Sequence, residues 1–300
     1  MSTRRKVFIG LGVWFGLALI VFAIFGSQGR NDEFQPQEEF RLDPWVNLKL
    51  GPLDMSINKA VMYVILAAAL TTLALTYIAR RMQDRPNRVQ AAVELAYDTM
   101  IGRTIIGQNM DRAMAKKWFA FVATIFFFIW FSNMIGYLPL PTNTQHKVDV
   151  LGLQLPALAL YAATANLSIP LVLTLIVWLA YHAEGIRVKG FRGFMRSYIP
   201  PGMGGGGAVP LFVIEVISDF VRIISLSVRL FANILAGHLL ILFMAGGLVV
   251  LLGLPALGVI TLGIAIPFFL FEVALVATLQ AFIFAILTSI YLGGATAESH

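Results

Sequence analysis

The side chains of this chain that could do chemistry sit where charge is costly. Arg229 lies in the middle of a long apolar stretch, Ser225-Leu226-Ser227-Val228-Arg229-Leu230-Phe231-Ala232-Asn233-Ile234-Leu235-Ala236-Gly237-His238. A guanidinium keeps its proton at any physiological pH, and holding one at membrane depth costs roughly 2.5–3.5 kcal/mol on insertion scales. Such a residue needs a negative partner or a task. Glu215, Asp219 and Arg222 precede it in the same stretch, His238 closes it, and Glu272 and Gln280 lie in the next apolar run. Ionisable groups at membrane depth face protein or a water-filled path and usually mark ion transfer.

Helical spacing orders these residues. At about 100° per residue and with Arg229 at zero, Asn233 falls at about +40°, Ser225 at about −40°, Arg222 at about +20°, Ser218 at about −20° and Glu215 at about +40°. The six share one face. Serines alone would make a seam for packing against a neighbouring helix, but two arginines and a glutamate point beyond packing. Asp219, one turn before Arg222, is placed for an ion pair with it, which leaves Arg229 without an acid nearby on its own helix. His238 lies opposite Arg229. Two readings of it stand: a buried structural histidine, or a proton relay with Glu272 on the adjoining helix. Thr164 and Asn166 read as small polar residues that hold membrane helices together.

Other chemistries are excluded. The chain has no cysteine, hence no thiol chemistry, disulfide framework or thiolate metal site. His182-Ala183-Glu184 lacks the His-Glu-x-x-His spacing of a metalloprotease, and no glycine-rich phosphate loop is visible. No metal or cofactor is expected. A sequence pI near 9.7 could suggest nucleic acid, but the basic residues lie in short loops between apolar runs, which is the pattern of membrane orientation.

The elements that must position these residues are membrane helices. The chain is 58% hydrophobic and 13% charged, with a mean hydropathy of +0.80, whereas soluble domains are about 25% charged. Runs long enough for a bilayer core of roughly 30 Å fall at about 7–25, 60–79, 118–138, 158–183, 211–245 and 248–292. Basic residues precede the first run and crowd 80–117 and 184–210. By contrast, 27–57 holds six acids against three bases. The positive-inside rule then sets the N-terminus in, 27–57 out, 80–117 in, 139–157 out, 184–210 in and the C-terminus in. The first run also resembles a secretory signal, but its core of about 19 residues and the lack of an Ala-x-Ala site favour a retained helix. Residues 87–117 read as an amphipathic helix on the cytoplasmic surface. The glycines at 204–207 mark a flexible loop.

The last two runs are over-long. About 35 residues from Leu211 to Ala245 give about 52 Å of helix, so the helix must tilt steeply or protrude. Gly246 and Gly247 end it, Gly253 and Pro255 make the turn, and a second helix returns with a kink at Pro267. The fold class is therefore all-α: a polytopic membrane protein of about six embedded helices with a long, tilted C-terminal hairpin. Its parts are an N-terminal apolar and acidic segment (1–56), a membrane domain (57–293) and a short tail (294–300).

Ser225 to His238 resembles the signature of the a subunit of F-type ATP synthases, in which an Arg-Leu-Phe-x-Asn core follows a Ser-Leu dipeptide. Asn133 to Pro139 resembles that family's Asn-x-x-Gly-x-x-Pro span end, and Thr164-Ala165-Asn166-Leu167 the start of the next. Glu215 matches an acid fourteen residues before the arginine. Gln280 to Phe284, with Leu287-Thr288 and Tyr291, resembles the closing helix. The resemblance implies a stationary proton-channel subunit without a catalytic site of its own. Its hairpin would lie against the rotating ring of c subunits, with Arg229 meeting each ring carboxylate and blocking direct passage between two offset half-channels. The outer half-channel would use Asn233, His238, Glu272 and Gln280. The inner one would use Ser225 and Glu215, with Arg222, Asp219 and Asn166 in support. Partners would be the c ring, peripheral-stalk b subunits, other subunits of the synthase and the lipid bilayer, with no nucleic acid. The place would be the bacterial inner membrane, with the C-terminus cytoplasmic. The sequence departs from the family in two respects: the apolar segment 7–25 precedes the part that resembles it, and the closing acid and glutamine, commonly 7 apart there, are 8 apart here as Glu272 and Gln280. A π-bulge would absorb the extra residue; otherwise the acid points elsewhere. An ion-coupled secondary transporter is the competing reading, but the paired repeats with broken helices expected of one are not visible.

Overall fold

The computed structural model describes residues 3–25, 40–50, 53–54, 56–81, 90–91, 94, 106–150, 153–199, 207–247 and 252–296. The amphipathic helix expected at 87–117 falls mostly outside the described residues up to 105, as does most of the glycine loop at 204–207. The described part is dominated by helices: α1 (Thr3–Phe25), α2 (Lys59–Arg81), α3 (Arg112–Gly136), α4 (Ser168–Arg196), α5 (Ala208–Leu242), α6 (Pro255–Phe271) and α7 (Ala277–Thr296). Four helical stretches are long and apolar enough to cross a bilayer: Lys59–Arg80, Arg112–Gly136, Ser168–Arg196 and Ala256–Thr296. The last, at 41 residues, is about 61 Å of helix, twice the bilayer core. Glu215, Asp219, Arg222 and Arg229 place charge of both signs along α5.

Local chemistry explains why these segments are helical in an apolar medium, where every backbone and hydroxyl group must find a partner. The hydroxyls of Thr71, Thr124, Thr174, Ser227 and Thr288 each donate to the carbonyl four residues earlier. At the start of α3, Asp111 Oδ1 accepts from the Met114 N–H at 2.8 Å, a side-chain N-cap. Large apolar residues such as Ile65, Leu73, Phe220, Ile224, Ile264 and Leu270 face outward, as suits contact with lipid.

Two differences from the sequence reading have physical causes. The fourth apolar run begins at about 158, but residues 158–167 are not α-helical. Leu140–Val150 (β1) and Leu153–Ala159 (β2) form an antiparallel hairpin, with Leu140 opposite Ala159 and Val150 opposite Leu153, and α4 begins only at Ser168. The second concerns the return helix. Pro267 lies inside α6, but the marked irregularity comes later: Glu272–Val276 is a π-turn leading into α7. A π-turn takes up one more residue than an α-turn, and so absorbs the extra residue in the Glu272–Gln280 interval.

The chain divides into two compact units, Met1–Lys59, Gly136–Tyr161 and Ile234–Val276 in one, and Ala60–Ile135, Ala162–Asn233 and Ala277–His300 in the other. In the first, α1 packs along α6, with the Trp14 indole seated against Gly263. In the second, α4 packs along α7 and buried polar ties join the helices. Thr164 Oγ1 donates to Asn133 Oδ1 at 2.6 Å, Asn133 Nδ2 to the Ala277 carbonyl at 3.2 Å, and Trp130 Nε1 to Thr278 Oγ1 at 3.1 Å. Lys117 and Glu184 form an ion pair between α3 and α4. Gly190, at φ 68° and ψ 161°, breaks α4 with a left-handed residue that a side chain would strain. The short piece beyond it returns Phe194 to His182, with ring centroids 5.3 Å apart.

Candidate functional site

The first unit holds a buried His–Tyr–Glu cluster. His238, Tyr137 and Glu272 are all buried. His238 Nδ1 lies 2.9 Å from the Ile234 carbonyl oxygen and Nε2 lies 3.0 Å from that of Gly136. A neutral imidazole has one N–H, so it can make only one of these hydrogen bonds; an imidazolium makes both. The Tyr137 ring stacks on His238 with centroids 4.6 Å apart, and its hydroxyl donates to Glu272 Oε2 at 3.1 Å. The Glu272 carboxylate in turn lies against the Gly237 Cα, where a Cβ would collide with it. The first turn of the π-segment thus needs a glycine opposite. No hydrogen bond joins His238 and Glu272 directly; Tyr137 lies between them, its ring on His238 and its hydroxyl on Glu272. Tyr137 entered the sequence reading only as part of a motif, and nothing in its spacing marked it.

The second unit holds a larger polar cluster. Arg222 is clamped by Glu215, with N–O at 2.9 Å, and lies 3.6 Å from Asp219 Oδ1. Its guanidinium also sits over the Tyr291 ring at 5.5 Å. Asp219 is buried. It accepts from Tyr181 Oη at 2.5 Å and from Trp178 Nε1 at 2.8 Å, and His182 Nε2 lies 3.3 Å away. Tyr198 Oη is 3.1 Å from that same nitrogen. Burial, reinforced by the Asp219 carboxylate, pushes the Tyr198 phenol up to about 12, so it stays protonated at neutral pH. A cavity of about 330 Å³ opens beside the cluster, lined on its polar side by Tyr181, Tyr198, Glu215, Asp219, Arg222 and Tyr291. A second, of about 10 Å³, lies among Trp178, Tyr181, Arg222, Leu226 and Tyr291.

The expected Arg222–Asp219 pair is present, and Glu215 joins it. His182, set aside at the sequence level for want of a metal-binding spacing, is part of this cluster. Trp178, Tyr181 and His182 recur at i, i+3 and i+4, so their shared face was legible; their partner on α5 was not. Asn166 takes a local role, its side-chain oxygen accepting from the Ser168 N–H at 3.0 Å where α4 begins. Gln280 is buried on α7.

Arg229 differs from all of these. With Ser225 and Asn233 it forms an exposed row on α5, and among the described residues no carboxylate lies within ion-pair distance of it. The two arginines of one helix are thus in opposite situations: Arg222 is satisfied within the chain, and Arg229 presents its charge outward among exposed apolar neighbours such as Val228.

Comparison with known proteins gives a consistent result. The family described as ATP synthase A chain matches residues 61–293. The ATP synthase subunit a of Rubrobacter xylanophilus is 33% identical over 256 residues, covering 83% of this chain and 88% of that one. That of Paramagnetospirillum magneticum is 33% identical over 268 residues, covering 86% and 96%. That of Pelagibacter ubique is 30% identical over 263 residues, covering 88% and 96%.

Proposed function

This chain belongs to the ATP synthase A chain family, and from that premise we propose that Arg229 is the fixed charge past which the carboxylates of a rotating c-subunit ring move. The chain is a multi-pass membrane protein and the proton-channel component of an F-type ATP synthase, not a catalytic subunit. It works with the other subunits of that complex, the c ring and the peripheral-stalk b subunits among them. Its setting is the bacterial inner membrane with a cytoplasmic C-terminus, as the positive-inside pattern requires.

The observation that carries this reading is the contrast between the two arginines of α5. A charge exposed on an apolar helix face, with no carboxylate beside it among the described residues, is stabilised by a partner outside them. A passing carboxylate beside a guanidinium favours its ionised form and gives up its proton. Once past, it leaves that field and can take up another. The fixed cation also opposes any proton moving directly across its position. Protons enter and leave through separate half-channels. The outer one involves Asn233, His238, Tyr137, Glu272 and Gln280. The inner one follows the polar cavity beside Glu215, Asp219 and Arg222 and the exposed Ser225. Proton flow down its gradient then turns the ring in one sense.

Arg229→Lys tests this in membrane vesicles carrying the assembled complex, with ATP-driven acidification as the readout. Lysine keeps the charge but not the planar two-pronged geometry, and pumping is expected to fall below detection. Arg222→Lys, within its own clamp, is expected to retain measurable pumping. Normal pumping by Arg229→Lys overturns the proposal.

A further inference from the structure

The cluster around Asp219 contains a group that neither the arginine mechanism nor the family motifs use. His182 projects from α4, and its Nδ1 lies 2.9 Å from the carbonyl oxygen of Trp178, four residues earlier. A carbonyl only accepts, so Nδ1 carries the proton in that contact. In the neutral ring Nε2 then has a lone pair. Two groups face it: Tyr198 Oη at 3.1 Å, which can donate, and Asp219 Oδ2 at 3.3 Å, which as a carboxylate cannot. The neutral ring is satisfied by the Tyr198 hydroxyl. When Nε2 gains a proton, the same ring is satisfied by Asp219. Both states have partners in place, and the change between them needs only a hydroxyl rotation.

We propose that His182 and Asp219 form a proton-binding couple on the wall of the large cavity, which takes up one proton from the ring side and releases it to water on the basic face of the membrane. The proposal rests on the proton-channel reading above and names the groups that serve its inner half. In uptake, a proton carried by cavity water reaches Nε2, the Tyr198 O–H turns away toward the cavity, and Nε2–H donates to Asp219 Oδ2. Release reverses these steps, so no proton or electron is left over. Asp219 and Tyr198 line the cavity, so His182 meets its water through them. The small cavity between Leu226 and Tyr291 is near the lower limit for one water molecule and continues from the large one along α5. The titratable or charged groups facing the couple are Tyr181 from α4, Tyr198 beyond its end, Arg222 and Glu215 from α5, and Tyr291 from α7. Arg222 is held by Glu215, which keeps its charge from displacing the proton on His182.

The test is passive proton flux through the membrane sector of the assembled complex in vesicles stripped of the catalytic head, with the pH on each side varied separately. Asp219→Asn keeps the side chain's shape and removes its charge. It is expected to lower flux about tenfold, less than the roughly 10²–10⁴-fold of an essential acid–base group, because cavity water still reaches the site. It should also flatten the dependence of flux on inner-side pH, with the outer-side dependence kept. His182→Gln is expected to give the same pattern and carries the test should the first variant fail to assemble. Tyr198→Phe, which removes one donor, is expected to cost only about two- to fivefold. If Asp219→Asn and His182→Gln assemble and keep the inner-side dependence, the couple is refuted. If Arg229→Lys abolishes pumping in that same case, the channel reading stands and only this inference falls. If Arg229→Lys pumps normally, the channel reading falls first.

Discussion

The two units each hold a histidine and a carboxylate, and the two pairs are built differently. Both histidines turn Nδ1 to the carbonyl four residues earlier in their own helix, and they differ in what Nε2 faces. In the second unit Nε2 faces Asp219 directly, beside a cavity of about 330 Å³. In the first unit Nε2 faces a backbone carbonyl, and the carboxylate is held by the hydroxyl of Tyr137, whose ring stacks on the imidazole. The first arrangement is direct and opens on a cavity; the second is buried, with a tyrosine between the two groups. Water in a cavity lets a proton-binding pair exchange with bulk, whereas the buried pair has no direct hydrogen bond between its histidine and its acid. Histidine plus acid is thus not one device. The backbone position of the partner decides which device it is.

The largest effect that would sharpen this contrast is at the buried site of the first unit. Glu272→Gln removes its one carboxylate while leaving an acceptor for Tyr137, and proton flux through the complex is expected to fall about a hundredfold, the scale of a lost general acid–base group. Flux within a factor of two of the parent would remove Glu272 from the path. Tyr137→Phe comes next. It keeps the ring on His238 and deletes only the bridging hydroxyl, so a loss of about two- to tenfold in flux is expected, one hydrogen bond's worth. An unchanged rate would mean that the bridge carries nothing and that the sites differ less than their geometry indicates. The smallest effect on function belongs to the Thr164–Asn133 tie. Thr164→Ala leaves Asn133 Oδ1 without that donor and is expected to cost about 1–3 kcal/mol of stability. The complex should dissociate at a lower temperature, while its flux at moderate temperature stays near normal. A flux defect without a stability defect would make this tie part of the path.

Much of this was legible in the sequence because period and charge suffice for it. The long α5, its charged stripe, its glycine-marked end and the turn at Gly253 and Pro255 follow from spacing alone. The Arg222–Asp219 pair is a one-turn neighbour relation and was equally visible. What was hidden depends on chain segments far apart in sequence. His182 meets Asp219 across 37 positions, and a local motif search could judge it only by its immediate neighbours. Tyr137 reaches Glu272 in the same long-range way. The β1–β2 hairpin lay mostly in what read as a plain outer loop at 139–157, and its apolar end at 158–159 satisfies a hydropathy count as well as a helix would. The π-turn showed only as one residue too many between Glu272 and Gln280, a surplus that spacing flags but cannot place.

The central claim is the proposal that Arg229 blocks direct proton passage between two half-channels, which a single substitution can test in two assays. In vesicles with the assembled Arg229→Ala complex, ATP-driven pumping and passive proton flux are measured side by side. The account predicts that pumping is lost while passive flux persists or rises, because the barrier between the half-channels has gone and the channels themselves remain. An Arg229→Ala complex that still pumps, or one in which passive flux is closed as well, would contradict it.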